Sequence, residues 1–289
     1  MCKKKRIDWH AGFVSAMKLE LMDNEEVLEF HDENTIEHNR QRFDLLIIKK
    51  NRSVSIQDEI GALLRTRNII EYKSPGARLD AEEFYKTLGY VSRYIYEEHD
   101  HDKYPAEDYT MMFLRESIPR DMICSLGKDG IHFGKECSPG IYEINGCIPF
   151  KAWLIVTGKL GKDHVWLRAL TRSGDRKIID EVIRKTPEKD DIHKDYVDCV
   201  MNVFARANSS LFKTVKEEES NMCEAIEELF ADQIEMLTNK AESYKKEAEA
   251  SRQEAEASRQ EAEASKKLVE EYKAKLEAAN EKLLAAGLV

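Results

Sequence analysis

Arg42-Phe43-Asp44-Leu45-Leu46-Ile47-Ile48 and Asn68-Ile69-Ile70-Glu71-Tyr72-Lys73-Ser74-Pro75 are the two segments whose reading decides the fold. Both are aliphatic and β-branched runs too short for helices, and Pro75 closes the second where a ladder donor would be missing, so each predicts a buried strand. Each nevertheless carries charge in its interior. Side chains alternate faces along a strand, so Glu71 and Lys73 project from one side while Ile70 and Tyr72 project from the other. Asp44 lies between Phe43 and Leu45, where an unpaired carboxylate loses its hydration at a cost of several kcal/mol.

An aspartate on one strand followed by Glu-x-Lys on a later one supplies the parts for metal-dependent phosphodiester hydrolysis. Two carboxylates give the hard oxygen ligands that Mg²⁺ or Mn²⁺ prefers and leave coordination positions for water and a substrate phosphate. Such an ion lowers the pKa of a bound water, and Lys73 would orient that water or offset charge on the phosphate. Spacing alone equally accommodates a second reading, a buried Asp-Lys-Glu ion-pair network between neighbouring strands.

These residues resemble the PD-(D/E)XK nuclease superfamily, with Asp44 as its first motif and Glu71-Tyr72-Lys73 as its second. A closer resemblance is to the recombination-promoting nuclease (Rpn) / putative transposase group. It is carried by Trp9-His10-Ala11, Leu19-Glu20-Leu21, Asp44 to Lys49, Ile70 to Pro75 and Phe84 to Tyr90, then by Pro139-Gly140-Ile141-Tyr142 and Trp166 to Leu170. Together these cover roughly the first 170 residues in order. The resemblance implies a Mg²⁺-dependent (or Mn²⁺-dependent) DNA endonuclease, of α/β (α+β) class, with a mixed central sheet flanked by helices and Asp44 and Glu71 on adjacent strands. It assigns the metal to Asp44 and Glu71 and the catalytic ammonium to Lys73.

Glu20 is a further candidate catalytic residue. A helix from about Asp8 to Asn24 has Phe13, Ala16 and Met17 as its apolar stripe, and Glu20 falls three and four residues beyond the last two, on the buried face. In many of these nucleases an acidic residue of the first helix reaches the metal, which is what the resemblance implies here; the other reading pairs Glu20 with Arg42 or Lys18. The helix after the second motif opens with a capping box, Asp80 and Glu83, and packs through Phe84, Leu88, Val91 and Ile95. Some superfamily members carry glutamine and tyrosine four apart on this helix. Lys86 and Tyr90 occupy that spacing, well away from the core stripe, an exposed position that faces either substrate or plain solvent, with the solvated reading preferred.

The chain of 289 residues has a formal net charge of -10 at pH 7, which is unexpected for a DNA-binding protein until it is divided. Residues 211 to 289 hold 12 Lys and Arg against 19 Asp and Glu, leaving 33 against 36 for residues 1 to 210. Phosphate contacts therefore fall to local clusters: Lys3 to Arg6, Lys49-Lys50 with Arg52, and Arg65 with Arg67. Six widely spaced cysteines without a Cys-x-x-Cys pair argue against a zinc ribbon or a disulfide scaffold. No segment reads as a membrane span, and the basic start Lys3 to Arg6 lacks a following apolar stretch, so the expected setting is cytoplasmic. No glycine-rich nucleotide loop supports an ATP-driven role.

The predicted organisation is a nuclease-like core over 1–172, a helical extension over 173–210 and an acidic helical tail over 211–289. Helices at about 175 to 185 and 192 to 207 either finish the core or form an annex. In the tail, Glu247-Ala248-Glu249-Ala250-Ser251-Arg252-Gln253 recurs at 254 to 260 and nearly again at 261 to 267. With Ala248 at position a, the large seam residues are Ile234, Leu237, Val269, Tyr272, Leu276 and Leu283, and Glu247 and Arg252 begin a series of g-to-e′ pairs. This pattern predicts a coiled coil and, through it, a homodimer. The competing overall reading is a non-catalytic DNA-binding or oligomeric scaffold that keeps the nuclease fold.

Overall fold

The computed structural model describes residues 7–32, 43–98, 103–186 and 191–212. Among them the strand-forming runs join one seven-stranded mixed sheet: β1 (Leu28–Asp32), β2 (Leu45–Lys49), β3 (Arg67–Lys73), β4 (Tyr109–Arg115), β5 (His132–Ser138), β6 (Ile141–Asn145) and β7 (Lys151–Val156). Their order is β1-β2-β3-β4-β7-β6-β5. β3 runs parallel to β4 and β4 to β7, while the remaining neighbours are antiparallel. The antiparallel pairing of β2 with β3 sets Leu45 opposite Ile70, the last pair of the ladder, and brings Asp44, one residue earlier, to the Glu71–Tyr72 end of β3. Asp44 itself lies just ahead of β2 rather than inside it.

Alternation along β3 divides the core between the two faces of the sheet. Ile69, with Leu46 of β2, packs against Phe84 and Val91 of helix α2 (Ala81–Glu98) and Met122 and Leu126 of α3 (Arg120–Lys128). On the opposite face Tyr72 lies flat against Phe13 of α1 (Trp9–Glu20), with ring centroids 4.6 Å apart and 3° between planes. Helix α1 starts at Asp8, whose Oδ1 accepts the Ala11 N–H at 3.1 Å. It ends at Glu20, four residues short of the expected limit, because the chain tightens into a 3₁₀ segment over Met22–Val27.

After the short α4 (Val165–Arg168), α5 (Arg176–Lys185) and α6 (Asp191–Ala207) occupy the two stretches expected to be helical. Helix α6 finishes the core. Its Val200, Val203 and Phe204 are buried, and α1 approaches so closely at Gly12 that a Cβ there would stand 2.8 Å from Val203 Cγ2. No described helix is long and apolar enough to cross a membrane. Cys124, Cys137, Cys147 and Cys199 are free thiols. The heptad seam and its repeats lie outside the described residues.

Candidate functional site

The end of β3 gathers the charged residues that the sequence singles out. Asp44 Oδ2 accepts the backbone N–H of Tyr72 at 2.7 Å, and its Oδ1 is 3.3 Å from His10 Nδ1 at the start of α1. The Asp44 side chain stays 24% exposed and opens on a cleft of about 410 Å³ lined also by Trp9, His10, Tyr72 and Ser74. Glu71, by contrast, is only 5% exposed in its side chain. Burial pushes its carboxyl above the usual carboxylate range, the nearby Asp44 charge pushes it further, and Lys73 and Lys86 oppose both.

Glu71 belongs to a ring of four charges. Lys73 donates to Glu71 Oε1 at 2.7 Å and lies 2.6 Å from Glu83 Oε2, while Lys86 stands 3.4 Å from the same Glu71 oxygen and 2.5 Å from the same Glu83 oxygen. Partial burial pulls Lys73 and Lys86 down, but their carboxylate partners outweigh it and hold both ammoniums above their ordinary range. For Glu83 the two lysines outweigh burial and hold the carboxyl low. Lys86 is part-exposed and away from the Phe84–Leu88–Val91–Ile95 stripe, but one turn after Glu83 its four-carbon stem carries the ammonium back to Glu83 and Glu71, so it is ion-paired rather than simply solvated.

Glu83 also departs from its expected use. Asp80 Oδ1 accepts the Glu83 N–H at 3.0 Å, as the capping box requires, but the Glu83 carboxylate is engaged by Lys73 and Lys86. The box signature hides this role in sequence. His10 was visible only as part of a matched tripeptide, because nothing local to α1 says which strand its ring meets.

Glu20 is not brought to this group. Ten residues after His10 on the same helix, it lies about 15 Å further along the axis. There its Oε1 accepts the Leu167 N–H at 3.1 Å and its Oε2 is 3.3 Å from His164 Nδ1, while His164 Nε2 is 3.2 Å from Glu59 Oε2. Among the described residues the partner is not Lys18 but a buried imidazole from a loop 144 residues away in sequence, while Arg42 lies outside the described residues. Burial raises the Glu20 carboxyl above its usual range despite these bonds.

Among the described residues, no group of three or more His, Cys, Asp and Glu side chains is placed to ligate a metal. Asp44 and Glu71 are oxygen donors of the kind Mg²⁺ takes when it keeps several waters, and one Glu71 oxygen is already engaged by Lys73 and Lys86. The mutual repulsion of the two carboxylates, recorded in the raised Glu71 carboxyl, is relieved by such an ion. Family models, curated proteins and solved structures offer no match to this chain.

Proposed function

We propose that the chain is a metal-dependent DNA endonuclease with a PD-(D/E)XK-like core, similar to Rpn and transposase-associated proteins. The observation that supports the reading is the pairing of Leu45 with Ile70, which brings Asp44, one residue ahead of β2, to the end of β3 where Glu71 and Lys73 share one face. Topology supports it: two antiparallel strands lead into β3, and α2 then crosses to the parallel β4. Asp44 and Glu71 would hold Mg²⁺ or Mn²⁺, which supplies Lewis acidity and a water of lowered pKa. Lys73 orients the attacking water and offsets charge on the phosphate. A homodimer through the tail, working in the cytoplasm, completes the proposal.

A second reading, a non-catalytic scaffold, is favoured by one feature. The Glu71–Lys73–Glu83–Lys86 ring is fully paired from protein side chains alone. Plasmid cleavage in Mg²⁺, Mn²⁺ and EDTA decides between the two. The nuclease reading expects nicking with either ion, none in EDTA, and none from Asp44→Asn or Glu71→Gln. Cleavage persisting in EDTA, or in both variants, would remove these residues from the chemistry. No cleavage under any condition leaves the scaffold.

A further inference from the structure

We infer that Lys86 is a second phosphate-binding ammonium of the site, parked on Glu71 and Glu83 until nucleic acid arrives; the inference rests on the nuclease reading above. Glu71 does not need it. Lys73 already donates to Glu71 at 2.7 Å, whereas Lys86 reaches the same oxygen only at 3.4 Å. The two lysines also differ in freedom, with side chains 17% exposed for Lys73 and 37% for Lys86. The more exposed ammonium, which is also the one farther from Glu71, is the one able to turn outward while staying on Glu83. A helix one layer above the sheet holds it, and the Tyr90 ring one turn on lies 5.9 Å from its Nζ.

Charge balance gives the direction of the move. Glu71 and Glu83 pair with Lys73 and Lys86, and Asp44 adds a third carboxylate whose charge is felt at Glu71, so that with His10 neutral the five side chains sum to one negative charge when all are ionised. With a dication held by Asp44 and Glu71, the same group carries a single positive charge, the complement of one phosphodiester. That ion also takes over the neutralisation of Glu71, so the Lys86–Glu71 contact loses its attraction while Glu83 keeps Lys86 tethered nearby. Glu83 is then a positioning residue, holding both lysines at the end of β3. With a neutral side chain at position 86, the loaded site would have no net charge to offer a phosphate.

Binding, rather than cleavage, tests this. The anisotropy of a short labelled DNA duplex is followed with Ca²⁺, which takes the same class of oxygen ligands, and with EDTA, across a salt series. In Ca²⁺, Lys86→Gln is expected to bind about tenfold more weakly than wild type, with the slope of log affinity against log salt shallower by about 0.9. Lys86→Arg keeps both, and in EDTA all three proteins bind alike. An unchanged salt slope, an equal loss in EDTA, or a Lys86→Gln protein melting far below wild type would overturn the assignment and make Lys86 a structural clamp. If wild-type binding depends on Ca²⁺ and Lys86→Gln matches it, the Lys86 role alone falls. If wild type binds no duplex in either condition, that role and the nuclease reading fall together.

Discussion

Asp44 accepts the backbone N–H of Tyr72 at 2.7 Å, so the carboxylate of the first motif also clasps the strand that carries the second. A charge-assisted bond of this kind contributes about 1.5–3 kcal/mol. The two roles of Asp44 separate by substitution. Asp44→Asn keeps an acceptor for the Tyr72 N–H and should unfold in urea within about 1 kcal/mol of wild type, yet lose cleavage. Asp44→Ala loses both, and its stability should fall by about 1–3 kcal/mol. Equal stability of Asp44→Ala and wild type would show that the clasp contributes nothing.

Glu71→Gln discriminates a ligand from a structural ion pair. Lys73 and Lys86 keep Glu83 when Glu71 is neutralised, and the amide removes a charge that burial and Asp44 both oppose. Metal-free thermal stability should therefore hold or rise slightly. If the ring exists to stabilise the fold, breaking it costs about 3–5 kcal/mol and the melting temperature drops sharply. A differential scan in EDTA reads the outcome directly.

That Glu71 and Lys73 share one face of their strand was legible because strand alternation is a local rule, whereas the adjacency of the Asp44 and Glu71 strands came only from the family resemblance. β1 and β5 were not legible. Leu28–Asp32 is short and interrupted by Glu29, His31 and Asp32, and His132–Ser138 is mostly exposed and irregular in register, so neither shows the apolar signature of a core strand. For Lys86 the exposed position was legible but its partners were not, because a helical wheel places the Cα and Cβ while a long side chain can reach back to a sheet end that the wheel does not contain. His164 pairs with Glu20 across 144 residues, and no local pattern encodes so distant a contact.

That contact makes stability fall as pH rises. Burial lowers the His164 pKa, but its bond to Glu20 and the charges of Glu20, Asp58 and Glu59 outweigh burial and raise it to about 8. A histidine whose folded pKa exceeds its unfolded value of about 6.5 stabilises fully below that value and loses the contribution as pH climbs through the folded pKa. The shift corresponds to about 2 kcal/mol. The raised carboxyl of Glu20 has the same sign, since it too favours the proton-bound folded state. Urea midpoints measured from about pH 6 to about pH 9 should decline for wild type, and the decline should flatten in His164→Gln. A flat or rising wild-type curve over that window would contradict the clamp.

The tail should be separable from the folded core, and the structure says where to cut. Phe212 packs edge-on against Phe204, with centroids 5.5 Å apart and 81° between planes, and Phe204 is fully buried in α6. A stop placed after Ser210 would strip that aromatic cover from the α1–α6 packing, so the stop belongs after Phe212. The shortened chain loses Ile234, Leu237, Val269, Tyr272, Leu276 and Leu283, the large residues of the heptad seam, and every g-to-e′ pair. It should melt cooperatively near the full-length temperature, run by light scattering as a 212-residue monomer with little more than a third of the mass of the 289-residue chain's dimer, and still cut DNA. Its cleavage should be less efficient, because two linked sites raise the local concentration on one duplex. Full-length protein that is already monomeric at micromolar concentration would refute the dimer and make the repeat a solitary helix.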